Sequence, residues 1–302
     1  MKELVIISGK GGTGKTSITA SFAALAGRAV LADCDVDAAD LHLLLRPEIR
    51  RREPFRAGHE AVIRRESCTG CGLCAANCRF EAIRSARDGS AYLVEPAACE
   101  GCGVCVRICP AQAIDFPERV GGEWYVSDTR CGPMVHARLT PGAENSGKLV
   151  ALVREEGRRL AKERKLDLVL LDGPPGIGCP VIASITGASG VLIVTEPTLS
   201  GRHDLARVLD LARHFKVPAM VCVNKWDINP AQTKEIERRA VEQGARIAGR
   251  IRYDRAVTDA QVAGKSIVEW GDSYAAQDVR TLWESVSNMR LEETGITQRR
   301  AS

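Results

Sequence analysis

The sequence predicts an α/β protein: a doubly wound, mostly parallel sheet into which a smaller, cysteine-rich α+β unit is inserted. Three observations carry this prediction. Short apolar runs alternate with helical patterns through residues 1–59 and 119–302, as parallel strands joined by crossover helices do. Directly after the first apolar run, Gly9-Lys10-Gly11-Gly12-Thr13-Gly14-Lys15-Thr16 satisfies G-x-x-x-x-G-K-[ST]. Between Cys68 and Cys109, one cysteine spacing occurs twice.

At 302 residues the chain has room for one large or two modest domains, and its net charge of +4 is mild. The basic residues are scattered, and an aromatic content of 4% offers no platform for stacking bases, so a nucleic-acid partner is not expected. No apolar run reaches the ~18 residues of a membrane span, and the N-terminus runs straight into a strand without a signal peptide. The expected compartment is the cytoplasm, where cysteines hold metal more often than they form disulfides.

In chain order, Leu4–Ile7 is a buried strand. The glycines after it let the backbone turn its amide groups onto a polyphosphate, at the positive end of the helix that opens near Lys15. Lys15 would reach the β- and γ-phosphates and Thr16 would complete a Mg²⁺ shell, with Ser17 beside them. Residues 28–33 form a second strand, ending in Asp33, Asp35 and Asp37 at alternate positions. That end of a parallel sheet faces the ligand crevice, so these acids are candidates to orient Mg²⁺ and an attacking water. Ala38–Leu45 is expected to be helical, and Arg50–Arg65 a charged linker.

The insert, residues 60–118, carries Cys68-x2-Cys71-x2-Cys74-x3-Cys78 and Cys99-x2-Cys102-x2-Cys105-x3-Cys109-Pro110. This spacing resembles a bacterial two-cluster ferredoxin, in which the fourth cysteine of each run crosses to the other cluster. By that rule Cys68, Cys71, Cys74 and Cys109 hold one [4Fe–4S] cluster, and Cys99, Cys102, Cys105 and Cys78 the second. Cys78-Arg-Phe-Glu-Ala-Ile83 repeats as Cys109-Pro-Ala-Gln-Ala-Ile114, an internal duplication with Arg79 where the second copy has proline. Zinc sites more often show two-and-two spacing.

Residues 121–126 and Val135–Leu139 are expected as short strands flanking a turn at 131–133, with His136 as filler rather than ligand. Pro141-Gly142 breaks the chain and a helix opens at Ser146. Leu166–Leu171 is the next buried strand, ending in Asp172-Gly173-Pro174-Pro175-Gly176. A carboxylate after such a run is where a Walker-B acid meets Mg²⁺. Val191–Thr195 and Ala219–Val223 are further strands, separated by helices over 202–215 and 231–243. Asn224-Lys225-Trp226-Asp227 fits the guanine-reading N-K-x-D pattern, which by itself leaves the base and the role of Asp227 open. Leu282–Met289 forms a last amphipathic helix before a polar tail at 294–302.

The early lysine, Lys10, together with Asp33-Cys34-Asp35 and Asp172-Gly173, resembles the MinD, ParA, Mrp and nitrogenase iron-protein superfamily of P-loop ATPases. The resemblance covers essentially the entire chain, as a P-loop ATPase of this superfamily with an inserted ferredoxin domain. It implies a dimer in which Lys10 reaches the partner's nucleotide. It also implies a first switch in which Asp35 positions water and Asp33 lies in the outer magnesium shell, and a second in which Gly173 senses the γ-phosphate. Asn224 would contact the base, although Arg252-Tyr253-Asp254 stands where many relatives carry a base-contacting proline. The function expected is ATP-gated electron transfer by a homodimer, or a heterodimer with a similar ATPase, to a redox or metal-cofactor partner protein. The alternatives are an iron–sulfur or metal-cofactor assembly carrier and a redox-sensing ParA-like positioning switch. Of the other cysteines, Cys34 and Cys222 are expected to pack and Cys131 to be a surface thiol. Cys179 is expected as a small side chain buried under the second switch, with an interface thiol as the alternative. It sits at the offset of a bridging-cluster ligand in the nitrogenase iron protein, whose other ligand aligns with Asn145.

Overall fold

The computed structural model describes residues 1–140 and 146–288. The chain divides into two units, one built from Met1–Glu53, Trp124–Arg138 and the chain from Ser146 onward, the other from Pro54–Glu123 and the segment starting at Leu139.

The elements of the first unit start with β1 (Lys2–Ser8), α1 (Lys15–Ala26), β2 (Val30–Asp33) and α2 (Leu41–Leu45). Strand β3 (Glu48–His59) leads into the second unit, which contains β4 (Val62–Ile63), α3 (Leu73–Ala76), β5 (Ile83–Ser85), β6 (Tyr92–Val94), α4 (Val104–Ile108) and β7 (Ile114–Asp115). The chain returns through β8 (Glu118–Thr129) and β9 (Gly132–Leu139) to α5 (Ser146–Arg164), β10 (Leu168–Pro175), α6 (Cys179–Ile185), β11 (Gly190–Thr195) and α7 (Leu199–His214). It ends with β12 (Ala219–Asn224), α8 (Pro230–Glu242), β13 (Arg246–Ile251), α9 (Ala256–Val262), α10 (Ile267–Trp270) and α11 (Tyr274–Ser287).

Among the described residues the main sheet has the order β13-β12-β11-β1-β10-β2-β9-β8-β3. From β13 to β9 every neighbouring pair is parallel. Leu4–Ile7 are at most 1% exposed because a central parallel strand is covered on both faces, which is why β1 reads as an unbroken apolar run. One face packs Leu4, Ile6, Leu31 and Leu170 against Phe22 of α1 and Leu282 of α11. The register pairs Ile6 with Asp172 and Asp172 with Asp33, so two strand-end carboxylates lie side by side beyond β1.

Several elements differ from expectation. The predicted linker at 50–65 is largely β3, an edge strand whose arginines pair instead of burying an apolar face. Arg50 donates to Glu48 and Asp128, and the Arg51 guanidinium lies 4.8 Å from the Trp124 ring centroid. Without an apolar face there is no alternation to read. The helix at 38–45 contracts to α2, where the Leu41 amide donates to the Asp33 carboxylate and the preceding residues turn. Strand β10 runs on through Asp172 to Pro175, and the last helix begins at Tyr274, where the Ser273 side chain accepts from the Ala276 amide. Met289, Pro141-Gly142, Asn145 and the 294–302 tail lie outside the described residues.

The second unit is wider than residues 60–118, because its boundaries at Pro54 and Glu123 fall inside β3 and β8. Its repeats give two small antiparallel ladders, Ile63 opposite Ile114 and Ile83 opposite Val94. A core of Ala61, Cys74, Ile83 and Ile114 is packed by Cys78, Cys99, Cys105 and Cys109.

Candidate functional site: a phosphate cradle and eight cysteines

The loop after β1 closes over a cavity of about 570 Å³ lined by Gly11, Gly12, Gly14, Lys15, Thr16 and Asp35, among others. Gly14 caps α1 with φ +93°, and a Cβ there would stand 2.5 Å from Asn224 Nδ2. That amide donates to Thr13 O at 2.8 Å, tying the loop to the end of β12. Gly9 and Gly173 are fixed by close approach: added Cβ atoms would meet Asp204 Cβ at 2.4 Å and Ile7 Cγ2 at 2.5 Å.

Lys15 Nζ lies 2.6 Å from Asp35 Oδ2 and 3.7 Å from Asp172 Oδ1, and all three side chains are buried. Burial alone pushes the ammonium pKa down, but Asp172 and Asp35 more than reverse it, and the pKa is raised. Asp172 is raised by burial, opposed in part by Lys15; Asp33 is raised well above the usual range by burial and by Asp172. Thr19 Oγ1 donates to Asp172 Oδ1 at 3.1 Å, while Asp172 Oδ2 and Thr13 Oγ1 are buried with no hydrogen-bond partner among the described residues. A buried carboxylate oxygen left unpaired is costly, and a cation beside Thr16 would satisfy it. The donor set therefore fits Mg²⁺. Asp33 is less available, since its two oxygens accept from the Asp35 and Leu41 amides.

Lys10 is outside that cavity's lining. Its Nζ lies 3.3 Å from Glu196 Oε2 and 3.4 Å from Ser200 Oγ, and Glu196 also takes Lys225 at 2.6 Å. A second cavity of about 190 Å³ adjoins Gly12, Gly14 and Ser17 and is lined by Asn224, Arg252, Tyr253 and Thr258. Asp227 does not line it; its Oδ1 accepts from the Tyr253 amide at 2.7 Å and holds that wall in place. Gln261 was missed by sequence reasoning. It lines both cavities and donates to Ser17 Oγ at 2.6 Å, across 244 residues of chain and with no motif to mark it.

In the second unit, Cys68, Cys71, Cys74 and Cys109 line one small cavity with Ile63, Tyr92 and Ile114. The Ala113 amide donates to Cys109 Sγ at 3.4 Å, and the Ala82 amide to Cys78 Sγ at 3.4 Å. Burial pushes the Cys74 thiol up, with Cys68 and Cys71 adding, and burial pushes Cys105 up, with Cys99 and Cys102 adding. Among the described residues no three His, Cys, Asp or Glu side chains are gathered around a single metal ion. One tetrahedral ion needs bonds of about 2.3 Å to every sulfur, whereas a four-iron cluster takes its four thiolates around a larger body. Four thiols converging from both motifs are the donor type that such a cluster takes.

Two cysteine expectations are overturned. Cys131 is buried, in the turn between β8 and β9, and Cys179 is exposed at the first position of α6. Cys131, 7% exposed, packs with the core cluster around Met134 and Leu31, whereas Cys179 opens α6 after the glycine turn at 176–178 and stays exposed. Cys34 and Cys222 are buried as expected, and burial pushes both thiols far up.

Residues 4–267 match the CobQ/CobB/MinD/ParA nucleotide-binding domain. The chain belongs to this family. An uncharacterized protein of Methanocaldococcus jannaschii, MJ0578, is 33% identical over 232 residues, 75% of this chain and 79% of the relative. A chain of the Aquifex aeolicus MinC:MinD cell division protein complex is similar at TM-score 0.58, with 19% identity over 98% of this chain and 100% of that one. Pyrococcus horikoshii MinD complexed with Mg-ADP is similar at TM-score 0.55, with 18% identity over 95% and 96%. The matched family is a nucleotide-binding one, and the large, mostly parallel sheet is the fold of the MinD structures. Among its described residues no helix is long and apolar enough to cross a membrane.

Proposed function

We propose that this protein hydrolyses ATP with Mg²⁺ and couples nucleotide-driven dimer closure to electron transfer through two [4Fe–4S] clusters in a ferredoxin-type insert at 60–118. The observation that carries the redox half is that cysteines from both motifs, Cys68, Cys71 and Cys74 with the distant Cys109, line one cavity. In this reading they hold one cluster, and Cys99, Cys102, Cys105 and Cys78 the other, each supplying one-electron storage.

For the nucleotide half, the amides of Gly9 to Gly14 and Lys15 cradle the phosphates, and Thr16 and Asp172 hold Mg²⁺ with Asp33 behind them. Asp35 orients the attacking water after nucleotide draws Lys15 away from it. Gly173 approaches the γ-phosphate, Asn224 borders the base, and Lys10 leaves Glu196 to reach the partner chain's nucleotide. The unpaired Asp172 Oδ2 supports the magnesium assignment, as does the Mg-ADP bound by the Pyrococcus horikoshii relative. Asp227, engaged with Tyr253, supports ATP over GTP.

Exposed Cys179 beside the second switch favours a second reading, a dimeric carrier that passes an iron–sulfur or metal cofactor to its partner. Anaerobic protein containing about eight irons per chain that reduces a partner only with ATP supports the first reading. Net transfer of iron to an apo-acceptor supports the second, and zinc in place of iron overturns the first.

A further inference from the structure

The two cysteine motifs have matched backbones at the glycine before each short helix, and besides Arg79 standing where the other copy has Pro110 they differ in the ring packed on that glycine. Gly72 in Cys71-Gly-Leu-Cys74 and Gly103 in Cys102-Gly-Val-Cys105 both precede a short helix in left-handed conformation, at φ 73°, ψ 0° and φ 71°, ψ 4°. The fourth cysteine of each run accepts one backbone amide at 3.4 Å, Ala82 to Cys78 and Ala113 to Cys109. Backbone hydrogen bonds to sulfur, one determinant of cluster potential, are therefore matched at these two cysteines.

What differs is the ring packed on each glycine. A Cβ at Gly72 would lie 2.8 Å from Tyr92 Oη, whereas a Cβ at Gly103 would lie 3.3 Å from Phe116 Cε1 and Cζ. Tyr92 also lines the cavity shared by Cys68, Cys71, Cys74 and Cys109. Among the described residues its hydroxyl has no hydrogen-bond partner. Phe116 instead carries the His59 ring stacked at 4.8 Å and 16°. One half thus has a free O–H dipole at its cysteine cavity and the other an apolar ring at the equivalent glycine.

We propose that Tyr92 makes the two clusters electronically inequivalent, setting the one held by Cys68, Cys71, Cys74 and Cys109 at the higher reduction potential. This rests on the iron–sulfur reading above. Taking up one electron adds one negative charge to a cluster; a nearby hydroxyl stabilises that charge, while an apolar ring leaves it in a low-dielectric surround. An electron from a low-potential one-electron donor then comes to rest beside Tyr92.

The test is an EPR-monitored redox titration of the anaerobic full-length protein, with dithionite as reductant, on the parent, Tyr92→Phe and Phe116→Tyr. The parent is expected to show two resolved one-electron steps. Tyr92→Phe should lower the upper step towards the other and leave the iron content unchanged. Phe116→Tyr should raise the lower step. About eight irons per chain with both potentials unmoved in Tyr92→Phe overturns this inference alone. Protein that takes up no iron on anaerobic reconstitution overturns the iron–sulfur reading as well.

Discussion

Lys15 Nζ stands 2.6 Å from Asp35 Oδ2, so the lysine that closes the glycine-rich loop and an acid just beyond β2 are held as an ion pair in this structure. A buried pair of this kind offsets the desolvation of both partners only while both are present. Polyphosphate offers the ammonium a competing anion, and moving Lys15 to it would release Asp35 at the mouth of the cavity. Nucleotide arrival and carboxylate release would then be one event.

Lys15→Ala is expected to lower ATP affinity roughly tenfold to a hundredfold, the worth of one charge-assisted hydrogen bond. Calorimetric titration with a slowly hydrolysed ATP analogue and Mg²⁺ measures it. Equal affinity in parent and variant would remove Lys15 from the phosphate site.

Lys10→Ala separates binding from dimer-dependent turnover. We expect ATP affinity of the dilute protein within about threefold of the parent, because the Lys10 contacts are to Glu196 and Ser200 rather than to the cavity. Specific ATPase activity should no longer rise with protein concentration. A rise as steep as the parent's would show that Lys10 does not act across a dimer.

Cys74→Ser is expected to lose one cluster, taking iron from about eight to about four per chain, while ATP affinity stays at the parental value. Cys74 belongs to the core of the second unit, so that unit should also become more sensitive to protease. Unchanged iron would mean that Cys74 is packing alone.

His136 gives a pH signature. Burial, with a smaller effect from His42, lowers its pKa from 6.5 to about 4. The ring is held neutral against Ser127 Oγ at 2.9 Å and stacked on Tyr125 at 4.9 Å. Because the folded value is depressed, its contribution is complete above pH 6.5 and is lost as pH falls towards 4. The loss should be of order 1–3 kcal/mol. Urea titrations at pH 7 and pH 5 measure it, and His136→Gln should flatten the difference between them. A parent equally stable at both values contradicts the assignment.

Local chemistry was legible where one stretch of chain contains its own reason. The run Leu4–Ile7 and the loop to Thr16 announce a strand, a turn and a helix start, because glycine freedom and apolar continuity are properties of adjacent residues. The duplicated cysteine spacing is legible for the same reason. Strand β3 was not, since its arginines are paid back by partners on β8 that sequence adjacency cannot show.

The sequence by itself determined which groups are candidates for the chemistry: the loop amides, Lys15, the acids at the ends of β2 and β10, and eight thiols in two runs. Only the tertiary structure decided their company. Parallel register sets Asp172 beside Asp33, and folding brings Gln261 to Ser17 and turns Asp227 to Tyr253. It buries Cys131 and exposes Cys179. Motifs depend on residues a few positions apart, whereas burial and pairing depend on what other segments bring to the same place.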